Sequence, residues 1–163
     1  MAQGLHPELL AYLRLGLSIH VGACDAAGRP QLTRALAVRA LPGPQLALLL
    51  PEAAGAPLLA AARDSGCVAV VLCQPTSHHA VQLKGRDAVV EATRQADWPE
   101  LARNYEAFNA EIRPFGFDRD FADAWFSGSR ERGDALKLLR FTPCGAWNQT
   151  PGPGAGAPME WLA

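Results

Sequence analysis

The side chains best able to do chemistry in this chain are two arginines, Arg34 and Arg39, and a polar run between His78 and Arg86. From Gln31 to Ala40 the sequence reads as one extended strand. In it Leu32, Leu36 and Val38 share a face, and Arg34 interrupts that apolar stripe. An unpaired guanidinium is costly to bury. Arg34 must therefore meet a carboxylate, emerge at a rim, or hold an anionic ligand such as a phosphate. Arg39 lies five residues on and has the opposite parity, so the two arginines share a site only across a bulge or similar irregularity. Further along, Val81 and Leu83 face one way while His78, Ala80, Gln82, Lys84 and Arg86 face the other. Such a polar face is either a solvated outer sheet surface or the wall of a groove. His78 is the candidate for proton transfer, because an imidazole titrates near neutrality.

Other chemistries are excluded by what the sequence lacks. His78 and His79 are adjacent and point oppositely in a strand, and there is no H-E-x-x-H or C-x-x-C, so no metal site is expected. The four cysteines, Cys24, Cys67, Cys73 and Cys144, read as buried reduced thiols. No G-x-x-x-x-G-K-[ST], no G-x-S-x-G and no G-x-G-x-x-G after a strand is present, which removes the phosphate-loop and nucleophile-elbow classes. Trp98 and Trp125 sit at helical spacing with nearby Phe residues and read as core rather than a stacking surface.

These residues need elements to hold them. A short helix spans Pro7 to Gly16, and Leu17, Ile19, Val21 and Ala23 alternate with polar or small residues as a first strand. The Asp25–Pro30 turn returns the chain antiparallel into the second strand, and Leu41-Pro-Gly-Pro44 leads to a third at 45–50. A helix over Gly55–Arg63 with Pro57 in its first turn precedes a buried strand at 67–74 and a long strand at 78–92, bent at Gly85. Asp97 and Glu100 form a capping-box pattern ahead of Trp98, Leu101, Tyr105, Phe108 and Ile112. A shorter helix at 118–126 is ended by Ser127-Gly-Ser, and a last strand covers 135–141.

The expected fold class is therefore mainly β with helices (α+β): six short antiparallel strands forming a partly closed barrel. At 163 residues the chain has room for one domain, taken as 1–150, followed by an irregular Pro/Gly-rich tail at 151–163 with Trp161 as an anchor. A net charge of -1 and 19% charged residues argue against nucleic-acid binding. The longest apolar runs, 46–50 and 67–73, are far short of a membrane span. The N-terminus has no basic region feeding an apolar stretch, which places the protein in the cytoplasm.

Taken in order, S-I-H-V-G-A-C-D-A-A-G-R-P-Q-L-T-R (18–34), V-A-V-V-L-C-Q-P-T-S-H-H-A-V-Q-L-K-G (68–85) and L-K-L-L-R-F-T-P (136–143) resemble the pyridoxamine 5'-phosphate oxidase-like, FMN-binding split barrels. The resemblance implies a six-stranded split β-barrel flavoprotein, an FMN-dependent oxidoreductase of unassigned substrate, with the small-molecule ligand at a homodimer interface. It also implies that Arg34 and Arg39 approach the FMN phosphate and ring, that Gln82 of Val-Gln-Leu-Lys-Gly reaches the flavin, and that Lys84 adds charge to the same groove. His78 completes the candidate cofactor-binding set. The helix start where the family carries a hydroxyl and a basic residue is here Pro-Glu-Ala-Ala-Gly-Ala-Pro-Leu-Leu, so phosphate would depend on Arg34, Arg39, backbone N–H groups or the other subunit. That departure keeps open an alternative: a non-catalytic dimeric module holding haem, through His78 or His79, a flavin without turnover, or another small ligand.

Overall fold

A computed structural model of the chain describes residues 4–127 and 135–162. The element order is α1 (Pro7–Tyr12), β1 (Ser18–Cys24), β2 (Pro30–Ala35), β3 (Ala37–Ala40), β4 (Leu46–Pro51), α2 (Glu52–Ser65), β5 (Val68–Cys73), β6 (Ala80–Gly85), β7 (Val89–Ala92), α3 (Trp98–Ile112), α4 (Arg119–Ser127), β8 (Leu136–Phe141) and β9 (Pro143–Asn148). The strands form two antiparallel sheets, β2-β1-β5-β6-β9 and β3-β4-β8-β7. The expected six strands are thus nine among the described residues, in two sheets that no ladder joins into a closed barrel.

Two of the expected strands are each cut in half by a change of sheet. The run 31–40 breaks at Leu36, which leaves β2 in the five-stranded sheet and β3 in the four-stranded one. Leu36 still donates its N–H to the Leu49 carbonyl (2.8 Å), and its own carbonyl accepts from Asn104 Nδ2 (2.8 Å), so the break leaves neither group unpaired. The break also overturns the expected stripe. Val38 enters the core between the sheets, Leu36 packs in a second cluster, and Leu32 is 72% exposed. The run 78–92 breaks after Gly85, where any side chain would strike the Phe141 ring. A ninth strand, β9, lies beyond the last expected strand and pairs antiparallel with β6 at the edge of the five-stranded sheet.

The main core lies between the sheets. Ile19 and Val21 of β1, Leu46, Leu48 and Leu50 of β4, Val70 and Leu72 of β5, Val81 and Leu83 of β6 and Phe141 of β8 all contribute, with Leu58, Ala61 and Ala62 of α2 among them. A second cluster forms where α3 and α4 cover the outer face of the four-stranded sheet through Tyr105, Phe108, Ile112, Ala122 and Phe126. Among the described residues the outer face of the five-stranded sheet receives no such cover. α2 begins three residues earlier than expected, so Pro57 sits inside the helix rather than in its first turn. The expected Asp97 cap of α3 is also different, because its carboxylate makes no cap bond to that helix. The end of α4 expected at Ser127-Gly-Ser falls partly outside the described residues. The Pro/Gly tail returns to the body, with Trp161 buried against Tyr12 and donating to Glu8 (2.9 Å).

Candidate functional site

The β1–β2 hairpin dictates what faces Arg34. Asp25 accepts backbone N–H groups from Ala27 and Arg29 (both 2.9 Å), which closes the turn and sets a register in which His20 stands opposite Arg34. Continuing across the sheet, His20 pairs with Val71, Val71 with Gln82 and Gln82 with Trp147. One transverse row on the uncovered face therefore reads Arg34, His20, Val71, Gln82, Trp147. The adjacent row carries Leu32, Gly22, Ala69, Lys84 and Gly145.

A cleft of about 500 Å³ opens at the β2 end of this face. It is lined by His20, Leu32, Thr33, Arg34 and Leu36, by Pro51 and Ala54 at the start of α2, and by Trp125 of α4. The Arg34 guanidinium carbon lies 3.0 Å from the Trp125 ring centroid, and Trp125 in turn stacks on Phe108 (5.6 Å, 15°). Among the described residues Arg34 Nε is buried without a hydrogen-bond partner, and no carboxylate pairs with this arginine. Burial pushes its guanidinium down to about 10. Burial first, and the Arg34 charge second, hold the His20 imidazole below its ordinary range.

This is the environment of an anion site. It has a positive charge with a spare N–H, a second nitrogen base beside it, and the N-terminal turn of a 14-residue helix in its wall. Glu52 in that first turn is drawn to Lys137 Nζ (3.2 Å). The apolar remainder, Leu32, Leu36, Pro51 and Trp125, suits a planar aromatic body attached to the anion.

The five residues expected to bind cofactor are not gathered in one place. Arg34 lines the cleft, and Gln82 and Lys84 lie on the same sheet face, with Lys84 Nζ 4.6 Å from the Trp147 ring centroid. Arg39 is elsewhere. The switch of sheet at Leu36 turns it toward Asp97, whose Oδ1 accepts from Arg39 Nε (2.9 Å) and Nη2 (2.5 Å) while Oδ2 accepts the Arg94 N–H (2.7 Å). His78 occupies the β5–β6 turn with a left-handed backbone (φ 56°), outside the residues lining the cleft. His79 packs its ring on Tyr12 and Trp161. Two cleft residues escaped the sequence reading, His20 and Trp125. His20 was legible from the hairpin, since counting back from the Asp25–Arg29 turn sets it across from Arg34. Trp125 carried no signal beyond helical spacing. Three cysteines expected to be buried, Cys24, Cys67 and Cys144, are exposed, and Cys73 is half-buried.

Solved structures share this fold at low sequence identity. HupZ of Group A Streptococcus aligns over 91% of this chain and 97% of its own, with 14% identity and a TM-score of 0.54. An F420 reductase aligns over 83% and 93%, with 12% identity and a TM-score of 0.53. A candidate pyridoxamine 5'-phosphate oxidase from Lactobacillus delbrueckii aligns over 90% and 95%, with 17% identity and a TM-score of 0.50. The fold is the split barrel that these solved structures share. No family model and no curated protein matches the chain by sequence. Among the described residues this split barrel has no group of three or more His, Cys, Asp or Glu placed to hold a metal ion, and no helix long and apolar enough to cross a membrane.

Proposed function

We propose that this split barrel binds FMN in the cleft between β2, the start of α2 and α4, and works as a flavin-dependent oxidoreductase of unassigned substrate. The observation that carries the reading is the buried Nε of Arg34, without a partner among the described residues, in a cleft whose other lining side chains are apolar apart from His20 and Thr33. A phosphate monoester supplies the acceptor this donor lacks, and the guanidinium offers it a charge-assisted, two-pronged contact. Gln82 and Lys84, on the same face, are the groups available to hydrogen-bond the ring. The bound flavin supplies hydride or electron transfer, while the chain's own residues bind it, orient it and shield it from water. Arg39 takes no part in this reading, being committed to Asp97. The half-exposed Val71 and the open Leu32 on the uncovered sheet face fit a homodimer that covers the cofactor.

A non-catalytic binding module is the second reading. In its favour, Arg34 is the one cation lining the cleft among the described residues, and the start of α2 contributes backbone but no hydroxyl or basic side chain there. Haem ligation by His78 or His79 draws no support from the geometry, since neither lines the cleft. The visible spectrum of the purified protein, with titration of FMN, riboflavin and haemin, separates these readings. FMN bound more tightly than riboflavin, followed by reduction of the bound flavin by a nicotinamide nucleotide, is the expected result. Preference for haemin, or no preference for the phosphorylated flavin, would overturn the assignment.

A further inference from the structure

We propose that His20 is a second anion-binding group of the cleft, neutral in the free protein and protonated when a phosphate monoester sits against Arg34. This rests on the cleft being the cofactor site. His20 and Arg34 are register partners on one sheet face, both line the cleft, and so any anion bound to the guanidinium lies beside the imidazole. In the free protein the imidazole meets a cation and partial burial, and both disfavour a second positive charge.

Among the described residues the surrounding groups offer no compensating negative charge. From β2 the facing charge is Arg34; from β5 the facing groups are the uncharged Val71 and the Cys73 thiol, which burial pushes upward and so keeps protonated. From α4 the neighbour is the uncharged Trp125, and at the start of α2 the Glu52 carboxylate is drawn to Lys137. On β1 itself the same face carries Ser18, Gly22 and Cys24. A bound dianion is therefore the group that reverses the local potential, and the imidazole responds by taking up a proton.

The consequence is a proton-coupled affinity. Between pH 8 and pH 6.5, above the second ionisation of a phosphate monoester, FMN binding to the wild type should tighten about fivefold, as expected when an imidazole takes up a proton on binding. His20→Gln should bind with a profile flat to within about twofold over the same range. Isothermal titration at pH 7 in buffers of differing ionisation enthalpy should show uptake of about half a proton or more per FMN by the wild type, and none with riboflavin, which lacks the phosphate. The calorimetric result needs no variant and stands even where His20→Gln folds poorly. FMN binding without proton uptake would overturn the role of His20 and leave the cofactor site intact. Absence of FMN binding at every pH would overturn the cofactor reading and this proposal together.

Discussion

Asp97→Ala should destabilise the fold by about 3 to 5 kcal/mol, the range for breaking a buried ion pair by removing one partner. The Asp97 side chain is wholly buried and accepts three hydrogen bonds, two from Arg39 and one from the Arg94 backbone. Its loss strands an arginine whose own side chain is only 22% exposed. Arg39→Met leaves the carboxylate buried but still bonded to the Arg94 N–H, so about 2 to 3 kcal/mol is expected. The double variant should cost clearly less than the two single losses added, because each single change leaves a charge that the other removes. Urea unfolding followed by far-UV circular dichroism reads this directly. With a slope of about 2 kcal/mol per molar urea, Asp97→Ala moves the midpoint down by about 2 M. The same variants carry a functional arm. Arg39→Met should leave FMN affinity within about twofold of wild type, since the arginine faces Asp97 rather than the cleft. An Arg39→Met protein of unchanged stability that has lost FMN binding would refute the separation of the two arginines.

Further expectations follow from single contacts. Gly16→Ala places a side-chain carbon against the backbone of Ala107 and Phe108 in α3, which has no room to yield, and should cost about 3 kcal/mol in denaturant titration. Tyr12→Phe removes the hydroxyl that donates to the Leu72 (3.1 Å) and His79 (2.7 Å) carbonyls and should cost about 1 to 2 kcal/mol, measured the same way. Because the His20 imidazole is held below its unfolded value of 6.5, the unfolded chain binds the extra proton more readily. Its contribution to stability is present above pH 6.5 and lost as pH falls through the folded value, and His20→Gln should flatten that part of a stability-against-pH curve. Trp125 stacks on Arg34 in the cleft wall, so FMN binding should quench its emission, and Trp125→Phe should remove most of the quenching signal.

Much of the fold was legible in the sequence because most strands obey a period of two about one buried face. β1 is the clearest case, with Ile19, Val21 and Ala23 turned into the core. The two changes of sheet were harder to read. At Ala35-Leu36-Ala37-Val38 all four residues are buried, since Ala35 and Val38 pack in the main core while Leu36 and Ala37 pack in the second cluster, and an alternating pattern cannot express that. The same break decides the site. A continuous strand makes Arg34 and Arg39 a parity question, whereas the switch at Leu36 sends one to a cleft and the other to a carboxylate 58 residues away. Asp97 was read as a helix cap because a carboxylate before an amphipathic run usually is one, and only the tertiary approach of β3 gives it Arg39 instead. Trp125 owes its place over Arg34 to the packing of α4 beside the sheet edge, a contact between residues 91 positions apart for which local pattern holds no trace.

The central claim is that Arg34 is an anion receptor for a flavin phosphate, and equilibrium titration of FMN into wild type and Arg34→Ala tests it most directly. Loss of a charge-assisted, partly buried contact should weaken FMN binding by about tenfold to a hundredfold, corresponding to roughly 1.5 to 3 kcal/mol, while riboflavin affinity changes little. Equal FMN affinity in the two proteins would contradict the account.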